Sequence, residues 1–210
     1  MERALLLATS NSGKIAEYSD LLAAVNFQFV LPKQLGLESF EVAETGQSFS
    51  ENALIKAKAY GDKTNIITLA EDSGLEVTAL NQDPGVRSAR YVQGSDQDRY
   101  EKILVELGDN PNRQAQFITV ICLYKPETSQ HQLFTGRLVG SIARQPAGSS
   151  GFGYDPIFIP NGHDQTLGEL GTNIKNQISH RRQALDQLLA FLETADAHGS
   201  VFFRWFVLNY

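Results

Sequence analysis

A chain of 210 residues, 42% of them hydrophobic, is long enough for one substantial core, and its single cysteine, Cys122, leaves no internal disulfide to staple it. The balance of 18 Lys and Arg against 24 Asp and Glu, a formal charge of -6, excludes a protein that grips a nucleic-acid polymer, since that needs clustered, uncompensated cations. A small anionic ligand remains allowed, because two or three placed cations and a positive helix end suffice for one.

The first apolar run, 4–8, is too short for a signal peptide or a membrane span. Cys122 lies inside another apolar run, 117–124, and reads as a buried small hydrophobe, which fits a reducing, cytoplasmic setting. Residues 4–8 read as a buried strand, ended by the polar Thr9, Ser10, Asn11, Ser12 and Gly13. From Lys14 onward Ile15, Tyr18, Leu21 and Leu22 recur at helical spacing, and a second strand follows over 27–31. Segment 32–46 has no sustained period, carries Glu41 and Glu44, and reads as an irregular connection. Ser48 and Glu51 make a capping-box pattern that opens a helix to about Lys63, with Ala53, Ala57 and Tyr60 as its inner stripe and Lys56 and Lys58 pointing elsewhere.

The apolar strand 66–70 stops at Glu71, Asp72, Ser73 and Gly74, read as a turn that places two carboxylates at a strand's carboxyl end, where open α/β sheets keep their ligands. Residues 75–80 continue that strand or begin another. Pro84 and Gly85 mark a turn followed by Arg87 and Arg90; Ser95 begins a helix with Tyr100, Ile103, Leu104 and Leu107 on its apolar face, closed by Gly108. Runs 115–124 and 131–142 read as a long hairpin. The glycine-rich loop 146–156, bearing Phe152, Gly153, Tyr154 and Asp155, leads into a short strand, 157–159. After a polar stretch the last helix begins near Ser179, His180 and Arg181, with Leu185, Leu188, Leu189 and Leu192 inside; the apolar run 201–208 reads as a final strand, a dimer contact or an appended segment. Strand and helix alternating at the start, with a hairpin later, predict an α/β fold: a mixed sheet with helices on its faces.

Thr9 to Lys14 lies between a strand and a helix, so amides, hydroxyls, a helix end and a lysine can converge on a phosphate. It is no Walker loop, because Ala8 replaces the first glycine and Ile15 offers no hydroxyl after Lys14. On its own it is equally an ordinary polar loop capped by Asn11 or Ser12. Lys56 alone is a surface lysine, and Glu51 a capping carboxylate. Glu44, Glu71 and Asp72 have no histidine or cysteine nearby in sequence, which disfavours zinc and fits a hard, oxygen-ligated cation such as Mg²⁺. His180 and Arg181 at a helix start are donors that, with Lys175 and the flat ring of Phe152, suit a heterocycle carrying carbonyl oxygens; alone, His180 is a helix-start residue without a ligand.

Taken together, several runs resemble one family, the inosine triphosphate pyrophosphatases. They are Thr9-Ser10-Asn11-Ser12-Gly13-Lys14, Glu44-Thr45-Gly46, Phe49-Ser50-Glu51-Asn52-Ala53, Glu71-Asp72-Ser73-Gly74-Leu75, Pro84-Gly85-Val86-Arg87-Ser88-Ala89-Arg90-Tyr91, Gly151-Phe152-Gly153-Tyr154-Asp155-Pro156 and Ser179-His180-Arg181, in family order through about Leu192. The resemblance implies an elongated α/β fold with two lobes around a nucleotide cleft, a single such domain over 1–198 with an apolar tail at 199–210, a homodimer, and Mg²⁺-dependent conversion of dITP, ITP or XTP to monophosphate and pyrophosphate. It implies that Thr9, Asn11 and Lys14, with the Ser10, Ser12 and Gly13 of the same loop, and Lys56 from the later helix hold the triphosphate. It implies that Glu44 and Asp72 hold the metal, with Asp72 also accepting the proton of the attacking water. It implies that Ser73 lies against the substrate, that Phe152, Asp155, Lys175, His180 and Arg181 form the base pocket, and that Gly153 and Tyr154 also bind substrate. Glu71 is left as a neighbour that tunes the field or reaches the metal through water. Two departures stand out: Gly171-Thr172-Asn173-Ile174 lacks acids often found there, and the tail after His198 has no family counterpart. The rival classes are a P-loop-like ATPase or kinase, which would release or transfer the terminal phosphate, and a regulatory module that binds without turnover. The nearest enzymatic alternative is a pyrophosphatase of modified pyrimidine nucleotides.

Overall fold

A computed structural model describes residues 5–22 and 29–197, so the apolar tail and the start of the expected second strand lie outside the described residues. Six strands form one mixed sheet in the order β2-β1-β3-β4-β5-β6. The continuously apolar β1 (Leu5–Leu7) pairs in parallel with β2 (Phe29–Val30) and with β3 (Thr68–Val77). From β3 onward the pairing is antiparallel, through β4 (Gln114–Lys125), β5 (Gln130–Ile142) and β6 (Phe158–Pro160). The mixed α/β expectation is met: a parallel start joined through a helix, then a hairpin of long strands.

One expectation about the start of the chain is corrected and one is met. Helix α1 (Ser12–Leu22) begins before Lys14, because the Asn11 side-chain oxygen accepts from the Lys14 amide at 3.0 Å and so caps the helix three residues upstream. Ser12 and Gly13 therefore belong to its first turn. Helix α2 (Phe49–Thr64) starts where the capping pattern places it: Ser48 Oγ accepts from the Glu51 amide at 3.2 Å, while the Glu51 carboxylate accepts from the Gln47 amide at 2.6 Å.

The larger correction concerns the acidic stretch. Glu71, Asp72, Ser73 and Gly74 are not a turn but the middle of β3, paired residue by residue with Ile121, Val120, Thr119 and Ile118 of β4. The ladder of a long, buried neighbour overrides the turn preference of Asp-Ser-Gly. What ends at this point is β1, whose last pairing is Leu7 with Leu69, so no strand pairs with that edge of β3 at Glu71 and Asp72, and further along Ser88 and the Pro84 bridge take it over. The carboxylates thus stand at the carboxyl end of a parallel strand after all, but of the neighbouring one.

Helix α3 (Asp96–Leu107) follows with Ser95 as its cap. A further helix, α4 (Leu167–Ile178), occupies what reads as a polar stretch. Its signal was present: the Thr166 hydroxyl accepts from the Glu169 amide and the Glu169 carboxylate from the Thr166 amide, a T-x-x-E capping box. Gly168 and Gly171 hide it, and Gly171 takes φ 78° and kinks the helix. Helix α5 (His180–Ala197) follows directly.

Packing divides into three apolar clusters. Tyr18 and Leu21 of α1 meet Leu185, Leu188 and Leu192 of α5 over one face of β1, β3 and β4. Ala53, Ala57 and Tyr60 of α2 cover the other face, against Leu6, Ala70 and Cys122. Burial pushes the Cys122 thiol up to about 12, so it is a packing residue rather than a nucleophile. Ile103 and Leu107 of α3 and Leu167 of α4 enclose the far ends of β3, β4 and β5 with Phe117 and Phe158. Between these clusters runs a cleft of about 470 Å³.

Candidate active site

Because side chains alternate along a strand, β3 sends Asp72 to the α2 face and Glu71 and Ser73 to the α1/α5 face. On the α2 face Asp72 accepts from Asn52 Nδ2 at 3.0 Å through Oδ2 and from the Ser73 amide at 3.0 Å through Oδ1. Lys56 reaches across the uncovered strand edge, donating to the Glu71 carbonyl at 3.1 Å and pairing with Glu44. Its surface reading is overturned: the side chain is only 17% exposed. Arg90 closes the group at 3.3 Å from Glu44. Burial, then the nearby Glu44 charge, raises the Asp72 pKa above the usual carboxylate range. For Glu44 burial pushes the same way, but Lys56 outweighs it and the pKa is lowered.

Glu71, on the other face, has no capacity left for a metal. It accepts from Tyr18 Oη at 2.7 Å, Arg181 Nε at 2.8 Å, Arg181 Nη2 at 2.9 Å and Ser73 Oγ at 3.2 Å, and pairs with Lys14 at 2.8 Å. Burial alone would raise its pKa; Arg181 and Lys14 hold it well below the ordinary value. Glu17 joins from α1, pairing with Arg181 and, at 2.6 Å, with Lys175, which meets Asp155 at 2.5 Å. Three carboxylates (Glu17, Glu71, Asp155) thus meet three cations (Lys14, Lys175, Arg181) beneath the cleft, so every buried charge has a partner. Sequence reasoning missed Glu17, whose signal is an acid on the inner side of an amphipathic helix, next to Tyr18 and one turn from Lys14.

Thr9, Ser10, Asn11, Lys14, Glu44, Lys56, Asp72, Ser73, Phe152, Gly153, Tyr154, Asp155, Lys175, His180 and Arg181 all line the cleft, whereas Ser12 and Gly13 do not. Gly13 serves from below: a Cβ there would stand 2.6 Å from the Phe152 ring, so only glycine lets that ring lie on the helix start. The glycine-rich loop is pinned by the Gly153 amide donating to Asp96 at 2.7 Å and by Tyr154 Oη donating to the Ser88 carbonyl at 2.8 Å. Lys175 Nζ lies 4.5 Å from the Phe152 ring centre and the Arg181 guanidinium 5.8 Å from it. His180 stacks on Phe117 at 4.8 Å, and its Nδ1 is buried with no partner. Burial, then Arg181 and Lys175, lower its pKa well below the ordinary value, so the imidazole is neutral. Gly136 of β5 makes this possible, since a Cβ there would stand 1.9 Å from the His180 carbonyl oxygen.

The donor set suits a hard dication. Glu44 and Asp72 present carboxylate oxygens to one cleft, and among the described residues no group of three His, Cys, Asp or Glu side chains is placed to hold a metal ion by itself. Mg²⁺ needs only one or two carboxylates when substrate phosphates and water complete its shell.

The family model of the Ham1 family matches residues 5–191. A dITP/XTP pyrophosphatase of Symbiobacterium thermophilum is 44% identical over 190 residues, covering 90% of this chain and 94% of its own. A Coxiella burnetii protein of the same name is 42% identical over 196 residues, covering 91% and 97%. Among solved structures, a HAM1 protein from Coxiella burnetii superposes with a TM-score of 0.84 at 41% identity, over 92% of this chain and all 100% of that one. The Staphylococcus aureus Ham1 protein gives 0.82 at 40%, over 91% and 99%. With the match spanning nearly the whole of the described fold and every segment of the cleft, the chain belongs to the Ham1 family.

Proposed function

We propose that the protein hydrolyses dITP, ITP or XTP to the nucleoside monophosphate and pyrophosphate; its relatives named above are dITP/XTP pyrophosphatases. One observation carries this reading: a single cleft joins a cationic grip (Lys14, Lys56), a carboxylate pair (Glu44, Asp72) and a donor-lined aromatic slot (Phe152, Lys175, His180, Arg181). In this mechanism Lys14 and Lys56 hold the triphosphate with the Thr9 to Asn11 loop at the start of α1. Asp72, oriented by Asn52 and the Ser73 amide, takes a proton from the water that attacks the α-phosphorus. Pyrophosphate leaves with its charge met by the two lysines. Glu44 and Asp72 would hold Mg²⁺, which when bound neutralises phosphate charge and lowers the cost of the developing negative charge.

The slot favours a 6-oxo purine. Lys175 and Arg181 are donors and His180 is neutral, so the 6-amino group of adenine would face donors in a desolvated site, whereas the 6-oxo group of hypoxanthine or xanthine accepts from them. A panel of nucleoside triphosphates with Mg²⁺, scored separately for monophosphate, pyrophosphate and orthophosphate, tests the whole reading. ITP must yield pyrophosphate and outrun ATP; orthophosphate as first product, or equal ATP turnover, overturns it.

The unbroken sheet supports residues 1–198 as one domain with two lobes, and the family resemblance supports a homodimer, which light scattering on the purified protein tests. No helix among the described residues is long and apolar enough to cross a membrane; it is the nucleotide-pool substrate of the proposed reaction that supports a cytoplasmic setting.

A further inference from the structure

Asn52 enters the mechanism above only as a hydrogen-bond partner of Asp72, yet it is a fully buried polar side chain in the first turn of α2, where an apolar residue would be buried at lower cost. Its carboxamide is used at both ends. Oδ1 accepts from the Gly46 amide at 2.8 Å, and Nδ2 donates to Asp72 Oδ2 at 3.0 Å. The polarity of this link is unambiguous: a main-chain N–H needs an acceptor and a carboxylate needs a donor, so only one orientation of the amide satisfies both.

The Gly46 end is built to fit. A Cβ at Gly46 would lie 2.7 Å from Asn52 Oδ1 and 2.7 Å from Glu51 Cβ, so the loop approaches the helix only as glycine. Two residues upstream stands Glu44, held from outside by Lys56 and by Arg90, whose Nη2 also donates to the Glu44 carbonyl at 3.4 Å. Asn52 is therefore the covalent bridge's counterpart in hydrogen bonds: the loop bearing one carboxylate and the strand bearing the other are both tied to one amide.

We propose that Asn52 is a positioning residue that sets the relative placement of Glu44 and Asp72, orienting the Asp72 carboxylate directly and the Glu44 loop through Gly46. This rests on the reading of Glu44 and Asp72 as the metal-holding and water-activating pair. It distinguishes the two ends: Asn52→Leu removes both bonds at similar volume, whereas Asn52→Asp keeps an acceptor for Gly46 and sets an oxygen against Asp72 Oδ2.

The test compares both variants and Asp72→Asn with the parent chain. It measures kcat and KM for ITP, Mn²⁺ binding to the nucleotide-free protein by electron paramagnetic resonance, and the thermal midpoint. Partners that orient metal-ligating carboxylates are worth about 10- to 100-fold in metal affinity or activity, so Asn52→Leu loses that much in both kcat and Mn²⁺ affinity. KM for ITP stays within about threefold, because the lysines and the base slot are untouched. Asn52→Asp loses kcat by a similar factor but keeps Mn²⁺ affinity, since the Glu44 loop stays tied and a carboxylate is added. Parent-like kcat and Mn²⁺ affinity in both variants, or losses explained by a fallen thermal midpoint with KM rising in step, overturn the proposal. Should Asp72→Asn itself turn over ITP normally, the underlying reading of the site fails instead.

Discussion

Glu71 and Asp72 are adjacent in sequence and opposite in chemistry. Alternation along β3 gives Glu71 to a cation-rich pocket that keeps it ionised, and gives Asp72 to a face shared with Glu44 where burial makes it more basic. On the proposed mechanism Asp72→Asn removes the base and a metal-holding carboxylate, and kcat for pyrophosphate release from ITP falls about 10²-fold or more. Near-normal turnover would show that another group accepts the proton. Arg181, whose side chain is 2% exposed, answers both Glu71 and Glu17. Arg181→Ala leaves two buried carboxylates without that partner, at a cost of about 3–5 kcal/mol in unfolding free energy measured by urea denaturation. A loss below 1 kcal/mol would mean that water or Lys14 and Lys175 already compensate them.

At the level of elements, two glycines do work that no motif advertises. Gly13 lies in the first turn of α1, where alanine would favour the helix, yet its Cβ would strike the Phe152 ring. Gly13→Ala should therefore keep or raise the thermal midpoint while displacing the ring; with an aromatic stack worth about 0.5–1.5 kcal/mol, KM for ITP rises roughly 2- to 10-fold. An unchanged KM would separate Phe152 from the base. Gly136 permits the N-terminus of α5 to touch β5, and Gly136→Ala has no flexible side chain to push aside, only the His180 carbonyl and the Ala184 amide. That variant loses both stability and the base slot, read as a lowered thermal midpoint with weaker IMP binding. The capping residues behaved as their sequence patterns foretell at Ser48 and Ser95, but α4 escaped notice because two glycines interrupt its period while its capping box remained in view.

Across the whole molecule the buried charges couple stability to pH. His180 is neutral in the fold with its pKa lowered, so below about pH 6.5 the unfolded chain takes up a proton that the folded chain refuses. Stability therefore falls with falling pH in that window, by up to about 1.4 kcal/mol per pH unit from this one group. Glu71, with its pKa held low, adds stability that is complete above the ordinary carboxylate pKa and lost only as pH falls through its folded value. Urea unfolding of His180→Asn between pH 7.5 and 5 should show a flatter slope than the parent chain; an identical slope would place the titrating group elsewhere.

The sequence by itself determined the α/β class, the polar strand-to-helix loop at the start of α1 and the cap of α2, and its resemblance to one family named residues that, Ser12 and Gly13 excepted, meet in the cleft. These are properties of local pattern: apolar runs, capping residues and short motifs whose spacing survives folding unchanged. Only the tertiary structure decided that the acidic stretch is strand, that its two carboxylates part to opposite faces, and that Glu17 and Asn52 stand behind the site. Those facts depend on which strand lies beside β3 and where β1 stops, and on packing between residues far apart in the chain, which no local periodicity encodes.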